Sequence, residues 1–185
     1  MEMKLFIVFL LVFLSSISNA AWRENVNRIN STLQVSHYNS IASQYLPTPT
    51  SVIALKMGGI ETLGVEPKNA TSMYFSIDYV DEYLAAISKY IEWQELAAKN
   101  GDSFKKQISE AKTKLAGIRL RFGFYSGNAN NHYLTIGSCT YLFGRCTGDD
   151  DFQFYDLENA KKLALLLSRL KSGELISGDV SEKYK

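Results

Sequence analysis

Cysteine, histidine, proline and net charge are all scarce in this chain: two Cys, two His, three Pro and a formal charge of +1 over 185 residues. Each scarcity excludes something. Zinc needs four ligands, or three and an open position. Cys139, Cys146, His37 and His132 show no paired ligand spacing, so no metal is expected. Basic and acidic residues balance and intersperse. That argues against a nucleic-acid partner, which wants a strongly basic face, and against polybasic attachment to a membrane. G-x-S-x-G, H-E-x-x-H and a phosphate-cradling glycine loop are all missing, so no cofactor is implied and no enzyme class is indicated.

Long apolar runs are also rare. The one that exists, Leu5 to Leu14, follows Lys4 and precedes the small, polar 15–20 segment. Ten residues are too few to cross a bilayer, for which a helix needs about 20. The pattern is that of a cleavable signal peptide over 1–20, cut after Ala20, with no membrane insertion after processing. The expected product is secreted or periplasmic. It comprises a single domain over 21–173 and a polar tail over 174–185.

What is present reads as α+β: an antiparallel sheet built from hairpins, with three to four helices packed on it. Residues 22–46 lack Gly and carry Trp22, Val26, Ile29, Leu33, Ile41 and Tyr45 at helical spacing, which predicts an amphipathic helix. Two apolar segments around Gly58 and Gly59 predict a hairpin. A long helix is expected from the Asp78 cap to Asn100, with Val80, Leu84, Ile87 and Ile91 in one stripe and Tyr79, Tyr83, Tyr90 and Trp93 in a second, core-facing one. A shorter helix is expected over 102–115 from Phe104, Ile108, Ala111 and Leu115. In 117–127, Ile118, Leu120, Phe122 and Phe124 alternate with Arg119, Arg121, Gly123 and Tyr125, the period of a strand with one buried face. Its hairpin partner is 132–143, with Phe124 facing Leu134, Phe122 facing Ile136 and Leu120 facing Ser138. Asp156 caps a last helix that ends at Gly173.

In an exported chain two cysteines usually pair, and Cys139 and Cys146 fit a hairpin with its tip at Leu142 and Phe143. Asp149, Asp150 and Asp151 are consecutive and match no calcium-loop spacing, so they read as a solvated connection. Glu92 and Glu95 share a polar helix face, which suits surface more than a glycosidase pair. Asn30 and Asn69 head N-x-S/T sequons.

The hairpin register leaves 126–132 as a loop and puts Arg119, Arg121, Tyr125 and Tyr133 on one sheet face. Arginine and tyrosine are interface residues, and Asn128, Asn130, Asn131 and His132 add uncharged hydrogen-bonding groups. The expectation is a small exported, non-enzymatic interaction module that binds a protein, in the manner of an inhibitor or immunity protein, or an envelope glycan. The alternative is a small secreted hydrolase using His132. A helix over 22–46 packed on the same face would instead leave the arginines snorkelling out.

Overall fold

The computed structural model describes residues 23–128, 131–148 and 151–175. Over these residues the chain is mainly β, with two α-helices, which corrects the expected sheet under three to four helices. The signal segment and residues 176–185 of the tail lie outside the described residues.

The strands are β1 (Glu24–Ile29), β2 (Val35–Asn39), β3 (Gln44–Thr48), β4 (Thr50–Met57), β5 (Ile60–Pro67) and β6 (Met73–Ser76). Helix α1 (Val80–Asn100) follows, then β7 (Lys105–Lys112), β8 (Ile118–Asn128), β9 (Asn131–Leu142), β10 (Arg145–Thr147), β11 (Phe152–Tyr155) and helix α2 (Leu157–Lys171). One sheet has the order β1-β4-β5-β6; the other runs β3-β2-β11-β9-β8-β7, with β10 paired to β9. The pairings are antiparallel.

Two expected helices are strands. Residues 22–46 were expected to be helical, yet 24–48 form β1, β2 and β3. Asn and Ser compete for backbone hydrogen bonds and favour turns over helix interiors. Asn39 shows how: its Oδ1 accepts from the amides of Ile41 and Ala42 and closes the β2–β3 turn. The expected helix over 102–115 is β7. A bulge between Gln107 and Ser109 sets Lys106 opposite Phe124 and Ser109 opposite Phe122. That step of three on one face imitates helical spacing.

The hairpins form as the pattern implies. Gly58 and Gly59, both at positive φ, turn β4 into β5. Strands β8 and β9 pair Phe124 with Leu134, Phe122 with Ile136 and Leu120 with Ser138. Pairing continues past the expected loop, through Ser126 with His132 to Asn128 with Asn131.

Helix α1 begins two residues after Asp78, behind a 3-10 turn whose cap is Ser76, and stops at left-handed Gly101. Its tyrosine stripe enters the core. Tyr83 stacks on Phe122 and donates to the Lys112 carbonyl at 2.6 Å, while Tyr90 donates to the His132 carbonyl at 3.0 Å. Asp156 caps α2, and Gly173, at positive φ, ends it. Leu175 is buried in the core, so the tail begins later than 174.

One core is shared by both sheets and both helices. It joins Val52, Leu63, Val65 and Phe75 of the smaller sheet to Phe122, Phe124, Leu134 and Ile136 of the larger one. The polar tie across it is Gln153, which is wholly buried. Its amide donates to the carbonyls of Val65 at 3.3 Å and Thr71 at 2.6 Å, and its carbonyl accepts from the Tyr155 hydroxyl. Nearby, Asp151 accepts from the amide and hydroxyl of Thr71, so it braces a turn of the smaller sheet. Replacing Gln153 by Leu strands two carbonyls and a phenol in the core. An unsatisfied buried group costs about 1–3 kcal/mol. Urea unfolding of Gln153→Leu is expected to show a loss of about 3 kcal/mol with an unchanged m-value.

Candidate functional site

Both helices pack on the inner face of the larger sheet, with Phe122, Phe124, Leu134 and Ile136. No described helix covers the other face. That outer face carries Tyr125 opposite Tyr133, Gly123 opposite Thr135, Arg121 opposite Gly137 and Arg119 opposite Cys139. The covering helix expected from 22–46 is instead the β2–β3 hairpin, which extends the same sheet and adds Tyr38 opposite Tyr45.

These strands enclose a groove of about 680 Å³, lined by Tyr38, Tyr45, Tyr125, Tyr133, Asn128 and Asn131 among others. Tyr45 is its hub. Its ring centroid lies 5.3 Å from Tyr38, 5.8 Å from Tyr125, 4.7 Å from Tyr133 and 4.6 Å from Phe154. None of the rings is parallel to its neighbour, as ring quadrupoles prefer. Gly127 leaves the floor low: a Cβ there would make ordinary contact with the Asn131 carbonyl and the Tyr133 ring, both at 3.7 Å, and with the Tyr45 ring at 3.9 Å. No described residue lining the groove carries a formal charge.

Burial, a hydrogen bond with Tyr125 and the neighbouring phenols together push Tyr45 above the ordinary phenol range. Burial, then the Asp156 carboxylate and Tyr125, push Tyr133 the same way. The groove therefore offers neutral hydroxyls and amides between aromatic rings.

The expected site residues do not all meet. Tyr125, Asn128, Asn131 and Tyr133 line the groove. Asn130 lies outside the described residues, as do Asp149 and Asp150. Arg121 sits farther along the outer face in a smaller depression of about 180 Å³ with Lys105 and Phe152. Arg119 lies beyond it, its guanidinium 4.3 Å from the Tyr141 ring centroid. From Tyr125 to Arg119 is six strand residues, about 20 Å. The arginines thus lie outside the groove.

His132 points inward. It is buried and stacks on Phe124 at 5.4 Å, with Nδ1 2.9 Å from Ser126 Oγ. Its Nε2 is buried without a hydrogen-bond partner among the described residues. A buried N–H without an acceptor is costlier than a buried lone pair, which favours a proton on Nδ1 donated to Ser126. In that state the ring holds the serine and does not activate it.

Neither Tyr38 nor Tyr45 was read as a site residue in the sequence, where Tyr45 was placed on the helical stripe of 22–46. Their signal was the Asn-Ser turn between them: "YNSIASQY" is a hairpin tip with a tyrosine on each arm.

At the far end of β9, Cys139 and Cys146 stand at disulfide distance, with Cα atoms 5.4 Å apart, compatible with a disulfide. They are diagonal and not opposite, because Cys146 pairs with Tyr141. Phe143 and Gly144, both at positive φ, make the turn.

The folded state holds these phenolic protons more tightly than an unfolded chain, whose tyrosines titrate near pH 10. Stability from the raised tyrosines is complete below about pH 10 and falls as pH rises beyond it. Melting temperature measured from pH 8 to 11.5 is expected to drop steeply above pH 10, and less steeply in Tyr45→Phe.

No family model matches the chain, and no curated protein or solved structure shows significant similarity to it.

Proposed function

We propose that the protein is a small exported, non-enzymatic binding module whose tyrosine groove holds a neutral glycan. The observation that carries this is the lining itself: four tyrosines and two asparagines, with no formal charge among the described lining residues. Aromatic rings offer contact area to the C–H faces of sugar rings at low entropic cost, and amides can both donate to and accept from hydroxyl pairs. A volume near 680 Å³ falls in the usual range for ligand sites. At about 30 Å³ per water-sized group it admits about 23 heavy atoms, close to a disaccharide.

A protein partner has less support. Hot spots of protein interfaces favour arginine with aromatics, and here Arg119 and Arg121 lie away from the groove. The hydrolase reading has less support again. The Ser126–His132 pair has no acid aimed at the free ring nitrogen among the described residues.

Calorimetry against neutral disaccharides and their polymers tests this reading. Saturable binding of at least one is expected. Tyr125→Ala and Tyr45→Ala should each weaken it by about 2 kcal/mol, the size of a binding hot spot. Tyr125→Ala should melt within a few degrees of the parent. Failure of every neutral glycan to bind, or unchanged affinity in both variants, overturns it.

Export is part of the same proposal. It rests on the apolar run over 5–14 and on the cysteine pair. Mass spectrometry of the unreduced secreted protein is expected to give a chain starting at Ala21, two hydrogens lighter than the dithiol. Two free thiols or an intact N-terminus would count against it.

A further inference from the structure

A second cavity lies far from the tyrosine groove, at the seam between the two sheets. Its volume is about 240 Å³. Met73 and Leu120, both buried, form its back; Met57, Tyr74, Leu115 and Ile118 form its sides; Lys114, at the exposed β7–β8 connection, stands at its mouth.

Four of the six hydroxyl side chains described in the wall are engaged with protein. Thr62 donates to the Ile60 carbonyl at 3.0 Å, and Thr113 donates to the Ile118 carbonyl at 3.0 Å. The Tyr74 hydroxyl donates to Glu66 at 2.7 Å, and Ser76 Oγ accepts from the Asp78 amide. Ser72 and Ser138 are the remaining hydroxyls of a wall otherwise made by Met, Leu, Ile and Lys side chains, and apolar cavities stay dry and accept apolar guests.

Lys114 is the one charged residue among those described in the lining. It makes no ion pair among the described residues. Its Cε lies over the β4–β5 turn, 3.9 Å from where a Cβ on Gly58 would stand. The lysine thus stands at the rim of an apolar hole, where an anionic head would meet its ammonium and an alkyl chain would run inward.

We propose that this cavity binds a medium-chain carboxylate, with its chain among Met57, Leu115, Ile118 and Leu120 and its carboxylate on Lys114. Size sets the chain length. The cavity exceeds the roughly 150 Å³ that accepts benzene and falls below the roughly 300 Å³ where drug-sized sites begin. At about 30 Å³ per water-sized group it holds roughly eight heavy atoms, an octanoyl chain. The carboxylate stays in reach of water at the mouth, where an exposed lysine can pair with it without the cost of a buried charge.

Titration of the full chain with octanoate, 1-octanol and octylamine, followed by NMR and calorimetry, tests this. Octanoate is expected to bind saturably and at least tenfold more tightly than octylamine, with shifts at the Ile118 and Leu115 methyls. Lys114→Met should weaken octanoate at least fivefold and leave 1-octanol within twofold. Ile118→Trp, which fills the cavity, should abolish binding of both while the far-UV spectrum stays that of the parent. A partial filling, Ile118→Phe, serves if the tryptophan variant does not fold. No saturable octanoate binding, octylamine equal to octanoate, or octanoate affinity unmoved in the filled variant each overturns the proposal.

Discussion

Gln153 is the constraint on which the arrangement of the two sheets depends. Hydrophobic packing brings β5 and β11 together, but apolar contacts alone tolerate sliding. A wholly buried amide does not, because each of its groups must find a partner at fixed distance. By bonding to Val65, Thr71 and Tyr155 it fixes one sheet against the other. The Asp151–Thr71 bonds and the Asp156 cap on α2 flank that tie on either side of β11. Strand β11 thus serves as the keel: it joins β9 to β2 in the larger sheet and leans on the smaller one.

Legibility in the sequence followed the strength of the local signal. The register of hairpin β8–β9 was readable, because alternating Phe, Leu and Ile on one face permit a single register, but its loop was not: pairing runs on to Asn128 and Asn131. Helix α1 was readable because its two apolar stripes agree with its Gly101 stop, although Asp78 does not cap it. Strands β2 and β3 were not: five residues each, too short for alternation to outweigh chance helical spacing. Strand β7 was misread because its bulge shifts the inward face by three. Fold class fell with those two errors, since both converted strand into helix. The site followed the same division. Of the residues that line the groove, Tyr125, Asn128, Asn131 and Tyr133 had been singled out in the sequence, while Tyr38 and Tyr45 sat in the misread segment, and the distant arginines were grouped with them only because they share the sheet face.

The two cavities differ in ways that follow from their walls. The tyrosine groove is wide, polar and uncharged over its described lining, and its raised phenols stay neutral at any ordinary pH. The seam cavity is small and apolar with one cation at the rim. A single fold presents two unlike solvents, one a substitute for water and one a substitute for oil. The two share no lining residue.

The β2–β3 hairpin enters the larger sheet through Ser36 opposite Phe154, across more than a hundred residues of sequence. Contacts of that span close late in folding, because loop entropy must be overcome before they reward the chain. In the folded sheet β11 stands between β2 and β9, so the contacts of Tyr45 with Tyr125 and Tyr133 require the N-terminal hairpin, β11 and the β8–β9 hairpin together. The groove is therefore a property of the finished molecule and of no fragment of it. An unfolded chain has no such groove to offer the proposed glycan until the β2–β3 hairpin has met β11.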